Sequence, residues 1–154
     1  MVSIGKQVSP FSVPATGDQT LSLKDFKGHW LVLYFYPKDN TPGCTTEGQD
    51  FGATHAEFAR ANTVILGVSR DSVKTHEQFK AKQAFPFDLL ADTDAALCHQ
   101  FGVIKEKNMY GRKVMGIERS TFLIDGKGVL RQEWRKVRVK NHVSEVLAAI
   151  QSLS

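Results

Sequence analysis

The chain predicts a single α/β domain built on a mixed sheet. Three observations lead there. Two near-continuous apolar runs, Trp30 to Tyr36 and Thr63 to Val68, read as strands buried on both faces. Each is followed by a stretch of helical spacing. A hairpin and a last amphipathic helix close the chain, so parallel crossovers come early and an antiparallel pair late.

Taken in order, Val8 to Leu23 reads as a short strand pair, an N-terminal hairpin extension with Pro14 and Gly17-Asp18 as turn signals. Leu23 to Phe26 forms one helical turn, stopped at Gly28. Leu31 to Tyr36 is the central strand. Thr41 to Ala61 reads as one helix, with Phe51, Ala56, Phe58 and Ala59 facing the core. Asp71 to Lys82 is the next, with Asp71 as N-cap and Pro86 as its stop. Phe87 to Leu90 is a brief edge strand, and Asp94 to Phe101 a short helix closed by Gly102. Ser120 to Ile124 and Val129 to Arg135 flank the turn Asp125-Gly126-Lys127-Gly128. Asn141 caps a last helix whose apolar stripe is Val143, Val146, Leu147 and Ile150. This is the layout of a thioredoxin-like sandwich, whose ligands sit off the carboxyl ends of the strands.

Length and composition narrow the function classes. A chain of 154 residues buries a real core as one domain, 1–154, without disulfide staples. No stretch approaches the ~20 apolar residues of a membrane span. The start Met1-Val2-Ser3-Ile4-Gly5-Lys6 lacks the apolar core of a secretory signal, so a cytoplasmic location is expected. The net charge of +4 is mild. Its one dense patch, Arg131, Arg135, Lys136, Arg138 and Lys140, reads as a solvated strand and turn rather than a nucleic-acid site. The only cysteines, Cys44 and Cys98, are expected as reduced thiols, catalytic or incidental.

Cys44 stands in Pro37-Lys38-Asp39-Asn40-Thr41-Pro42-Gly43-Cys44-Thr45-Thr46-Glu47, directly after the central strand. A cysteine in the first helical turn meets free N–H groups and the positive end of the helix dipole. Such a thiol ionises more easily than the roughly 8.5 of a free cysteine, and the thiolate is the nucleophile. Thr41 suits the N-cap, its hydroxyl either bonding the helix amides or pointing into the pocket. Pro42 suits the first helical position. Gly43 lets backbone approach a ligand closely, and Pro37 ends the strand and can shield the sulfur. A buried structural cysteine is the competing reading at this point.

The segment Leu33 to Glu47 resembles the signature of peroxiredoxins, and in particular the bacterioferritin comigratory, or Q-type, branch. Gly67-Val68-Ser69-Arg70-Asp71-Ser72, Gln100-Phe101-Gly102-Val103 and Arg119-Ser120-Thr121-Phe122-Leu123-Ile124-Asp125 agree in the same order. The resemblance implies that Cys44 attacks a hydroperoxide and becomes a sulfenic acid. It implies that Arg119 lies beside the sulfur, that Thr41 and the amides of Gly43 and Cys44 hold the peroxide, and that Glu47 orients Arg119.

In that branch a resolving cysteine commonly lies five residues after the first, here Gln49, or on the next helix, here Lys80; neither bears a thiol. The expected chemistry is therefore a one-cysteine cycle, with thioredoxin, glutaredoxin or a small thiol such as glutathione reducing the sulfenate. The alternatives are a disulfide with Cys98, or a non-enzymatic redox relay or chaperone. Cys98 otherwise reads as a small apolar residue beside Leu97 and Phe101. The branch leans towards monomers, with a weak dimer as the variant, and implies no cofactor. A metal site drawing on Cys44, Cys98, His55, His76, His99 or His142 is disfavoured, because no pair has zinc-finger spacing. Phe11, Tyr36 and Phe85 read either as an apolar mouth or as core.

Overall fold

The computed structural model describes residues 1–153. Its elements run β1 (Ser12–Ala15), β2 (Gln19–Ser22), a 3-10 turn (Leu23–Phe26), β3 (Trp30–Phe35), α1 (Pro42–Ala53), α2 (His55–Arg60), β4 (Thr63–Ser69), α3 (Val73–Gln83), β5 (Asp88–Ala91), α4 (Ala96–Gln100), β6 (Ile104–Met109), β7 (Arg112–Ile117), β8 (Ser120–Ile124), β9 (Leu130–Trp134) and α5 (His142–Leu153). Seven strands make one sheet in the order β2-β1-β5-β4-β3-β8-β9, while β6 and β7 pair only with each other. β3, β4 and β5 run parallel to their neighbours in that trio. The pairs β1–β2, β1–β5, β3–β8 and β8–β9 are antiparallel.

β3 sits at the centre, between β4 and β8, and its side chains alternate between two cores. Leu31, Leu33 and Phe35 pack on one face with Val68, Leu90, Phe101 and Phe122. Val32, Tyr34 and Tyr36 pack on the other with Phe51, Phe58, Ile65 and Val146. A strand covered on both faces has no polar side to show, which is why its sequence reads as an unbroken apolar run.

Several boundaries differ from the sequence reading. The expected helix from Thr41 to Ala61 is two helices, because Thr54 leaves helical geometry (φ −105°, ψ 8°). Its hydroxyl bonds back to Asp50 O at 2.9 Å, a bond that bends helices. The N-cap of α3 is Ser72, whose Oγ accepts from Thr75 N at 3.2 Å; Asp71 is spent on the loop before it. α3 ends at Gln83, with Ala84 in the left-handed region at φ 54°, ahead of Pro86. β5 is not an edge strand, since the β1–β2 hairpin extends the sheet past it through Ala15↔Leu90. Pro14 lies inside β1 opposite Thr20, and the turn falls on Gly17 and Asp18. Before α5, Asn141 contributes its backbone carbonyl, which accepts from Glu145 N at 3.2 Å.

The hairpin β6–β7 is absent from the sequence reading. It turns at Tyr110 and Gly111, both at positive φ (53° and 78°). Its residues are mostly exposed, so no buried face imposes an apolar alternation. The basic patch is partly consumed by the fold. Arg131 stacks over Trp30 and pairs with Asp125. Arg135 donates to the carbonyls of Phe101 and Gly102, both at 3.1 Å, and to Glu133.

Candidate active site

α1 begins just past the carboxyl end of β3, with Thr41 as N-cap and Pro42 at the first helical position. Thr45 N bonds Thr41 O at 2.9 Å, so the amides of Gly43 and Cys44 are those a helix start leaves without an intrahelical acceptor. Cys44 is 2% exposed and belongs to the aromatic core of Tyr34, Tyr36, Phe51 and Phe85. The Thr41 hydroxyl does not bond the helix amides; it donates to Lys38 O at 2.8 Å. That bond fixes the side chain and leaves the oxygen lone pairs to accept. Pro37 is half-buried on the strap between β3 and α1.

Arg119 stands immediately before β8 and joins two residues of α1. Its Nη1 donates to Glu47 Oε1 at 2.6 Å, and its Nη2 donates to Cys44 Sγ at 3.4 Å. A Cβ on Gly43 would lie 3.2 Å from Nη2, so glycine at this position admits the guanidinium to the sulfur. Glu47 is fully buried, and its Oε2 has no hydrogen-bond partner among the described residues. Burial pushes its carboxyl up to about 7, against the opposing pull of Arg119. Burial works against the charge on Arg119, but Glu47 and Cys44 beside it raise its affinity for the proton. The guanidinium is therefore a fixed cation between a thiol and a carboxyl.

Two further groups sense this cation. His142, buried against Thr121 Oγ1 at 2.7 Å, is lowered to about 4 by burial and then by Arg119. Lys107 on β6 donates to Ile117 O at 2.5 Å and is lowered by burial and then by Arg119. The hairpin β6–β7 therefore borders the site at its root, two residues before Arg119.

Cys98 is elsewhere. It is fully buried in the core on the opposite face of the sheet, with Leu97 and Phe101. Burial, then a hydrogen bond and the charge of Asp92, push its thiol far up. The two positions where the resemblance would put a resolving thiol are occupied by polar pairs: Gln49 with Gln83 at 2.9 Å, and Lys80 with Asp88 at 2.7 Å. Of the three aromatics left open, Tyr36 and Phe85 are core beside Cys44, while Phe11 packs on the opposite face.

Among the described residues, the cysteines and histidines do not come together as a ligand set. Among the described residues, the one cluster with metal-ligand spacing is Asp39, Asp71 and His76, with donor atoms within 4.8 Å of one another. His76 and both carboxylates already hold hydrogen bonds within the chain. Sequence reasoning missed Asp39 and His76 as neighbours of the site. The signal was Asp39 itself, a carboxylate inside the short strap that carries Thr41.

A single thiol at a helix start, against a thioredoxin-type sheet and beside an arginine, defines a cysteine-based oxidoreductase. The AhpC/TSA family pattern matches residues 4–133. The chain is 61% identical to peroxiredoxin Bcp of Xanthomonas campestris over 88% of its length and 84% of that protein's. It is 48% identical to peroxiredoxin Bcp of Bacillus subtilis, over 99% and 98%. A solved cysteine-to-serine mutant of Xylella fastidiosa PrxQ superposes with a TM-score of 0.95 at 46% identity, covering 99% of this chain and 98% of that one. The bacterioferritin comigratory protein of Xanthomonas campestris, solved in a study of its alkyl peroxide reduction, superposes at 0.89 with 56% identity, covering 93% and 91%. The chain belongs to the AhpC/TSA family and is a peroxiredoxin of the Bcp/PrxQ group, a thiol-dependent peroxidase with a thioredoxin fold. No helix is long and apolar enough to cross a membrane among the described residues.

Proposed function

We propose that Cys44 is the peroxidatic residue and that the enzyme reduces hydrogen peroxide and organic hydroperoxides on this one thiol. The observation that carries this reading is the Arg119 Nη2–Cys44 Sγ contact at 3.4 Å, at a helix start. The sulfur attacks the terminal peroxide oxygen and the O–O bond breaks. A proton goes to the departing oxygen, which leaves as water or alcohol, and Cys44 becomes a sulfenic acid. Arg119 and the amides of Gly43 and Cys44 complement the charge that moves from sulfur to oxygen. With its hydrogen held by Lys38 O, the Thr41 hydroxyl accepts a hydrogen bond from the peroxide, Pro37 shields the sulfur, and Glu47 aims Arg119.

The sulfenate is then met by an external thiol. The mixed disulfide forms with loss of water, and a second thiol releases Cys44. Thioredoxin, glutaredoxin or a small thiol serves as donor. The opposite-face location of Cys98, and its raised thiol, support this one-cysteine cycle over a disulfide between the two. The chain works as one domain, as a monomer in the cytoplasm.

Peroxide turnover with a panel of thiol donors tests the scheme. Cys44→Ser is expected to be inactive with every donor and Cys98→Ser to turn over like the wild type. Loss of activity in Cys98→Ser, with an intramolecular disulfide in the wild type after one equivalent of peroxide, would overturn the one-cysteine cycle.

A further inference from the structure

The strap between β3 and α1 carries a buried polar network that the chemistry above does not use. Tyr36 O–H donates to Asp39 Oδ1 at 2.6 Å, and Asp39 Oδ2 lies 2.6 Å from His76 Nδ1. His76 Nε2 lies 2.9 Å from Leu90 O. Asp39 N–H donates to Asp71 Oδ2 at 3.0 Å, and Ser69 Oγ donates to the same oxygen at 2.6 Å. The side chains of His76 and Asp39 are 0% and 1% exposed. The Asp39 carboxylate thus joins the end of β3 to α3, while the loop after β4 holds the Asp39 amide and β5 holds the far side of the His76 ring.

The hydrogen inventory is constrained. Leu90 O only accepts, so Nε2 carries a hydrogen. The Nδ1–Oδ2 contact then holds one shared proton, whichever atom owns it. In a dry site such a pair tolerates no missing partner. Between Asp39 and Thr41, Asn40 turns the strap through the left-handed region at φ 64°, a conformation asparagine tolerates. The residue between Pro37 and Asp39 is Lys38, whose carbonyl accepts the Thr41 hydroxyl at 2.8 Å.

We infer that the Tyr36–Asp39–His76 network is a clamp that sets the position of the Thr41 hydroxyl at the start of α1, with His76 as a positioning residue for peroxide. The linkage runs from α3 through His76 and Asp39 to Lys38 O, and from there to Thr41 Oγ1. Catalytic geometry is sensitive to such supports: a displacement of about 1 Å costs on the order of a hundredfold in rate. The inference rests on the reading of Cys44 and Thr41 as the peroxide site.

The test is a neutral replacement of the clamp. His76→Gln offers one amide nitrogen and one oxygen where the ring offers two nitrogens, so either orientation sets its oxygen against an acceptor, the Asp39 carboxylate or Leu90 O, and breaks the network. Asp39→Asn with His76→Gln restores it: Tyr36 donates to the new carbonyl, the asparagine amide donates to the glutamine carbonyl, and the glutamine amide donates to Leu90 O. Stopped-flow peroxide reduction by the reduced enzyme and alkylation of Cys44 by iodoacetamide are measured in parallel. His76→Gln is expected to slow the peroxide step by about tenfold or more, with alkylation held within about twofold, since alkylation needs no peroxide aim. The double variant is expected to recover the peroxide rate to within about threefold of wild type. If His76→Gln does not fold, Tyr36→Phe, which removes one bond of the clamp, is expected to slow the peroxide step selectively. An unchanged peroxide rate in the single variants, a parallel loss of alkylation, or a folded double variant without recovery would overturn the clamp. Peroxide turnover by Cys44→Ser would instead overturn the reading of the site itself.

Discussion

Arg119 reaches Cys44 from a different element of the fold, its Nη2 3.4 Å from Sγ, while its Nη1 is held 2.6 Å from Glu47 on the same helix as the cysteine. One planar cation thus spans two positions of α1, three residues apart, and cannot turn towards one without leaving the other. A lysine has a single point charge and cannot fork in this way. Arg119→Lys is expected to slow sulfenate formation by about a hundredfold, the scale of losing one preorganised donor. Each tenfold corresponds to about 1.4 kcal/mol of barrier. Stopped-flow measurement on the reduced enzyme reads it, and an unchanged rate would contradict the role of the fork.

Glu47 brings a titration into the site. Its carboxyl, raised by burial from 4.5 to about 7, is ionised above that pH and neutral below it. Only the ionised form pairs fully with Arg119. The rate of sulfenate formation in the wild type is expected to lose one step as pH falls through about 7, and Glu47→Gln to lack that step. Profiles of the same shape in both proteins would count against it.

Stability carries two pH dependences of opposite sign. For His142, lowered from 6.5 to about 4, the unfolded chain takes the proton first, so stability is lost as pH falls from 6.5 towards 4. For Glu47, raised from 4.5 to about 7, the folded chain holds the proton more tightly, so a contribution present at low pH is lost as pH rises through 7. His142→Gln is expected to flatten the acid side of the profile in denaturant titrations. An acid limb as steep as in the wild type would exclude His142 as its source.

Gly48 lies one turn beyond Cys44, and a Cβ there would come 2.4 Å from Phe85 Cζ. Phe85 stacks on Phe87 and meets Phe79 edge-on, with ring centroids 5.1 and 5.0 Å away, so the ring has nowhere to go. Gly48→Ala is expected to cost about 1–3 kcal/mol by overpacking. Equilibrium denaturation measures it, and a gain in stability would show that the aromatic cluster yields.

On the proposed one-cysteine scheme, the sulfenic acid of Cys44 has no thiol partner on its own face of the sheet and is open to a second peroxide. Excess peroxide with scarce reductant is expected to produce sulfinate at Cys44 and lasting loss of activity, read by peptide mass spectrometry. Full activity and no sulfinate under those conditions would argue for a rapid internal resolving step.

The fold was legible where burial is two-sided or periodic. β3 and β4 announced themselves as apolar runs, and α5 by the stripe Val143, Val146, Leu147 and Ile150, all buried. The exposed hairpin β6–β7 was illegible because solvent imposes no pattern on Lys105, Glu106 or Lys113. At the site, Cys44 and its helix start could be read locally, since capping residues act within one turn. Arg119 and Glu47, separated by 72 residues, were reached only through resemblance. The contact of Asp39 with His76 was not seen at all, because a carboxylate in a loop is ordinarily solvated and nothing local marks it as buried.

The central claim is that Cys44 alone receives the oxygen. One equivalent of hydroperoxide added to the reduced enzyme, followed at once by a sulfenic-acid trap and peptide mass spectrometry, tests it most directly. The expected result is the trapped adduct at Cys44, Cys98 unmodified, and no disulfide. An adduct at Cys98 instead, or an untouched Cys44 while peroxide is consumed, would contradict it.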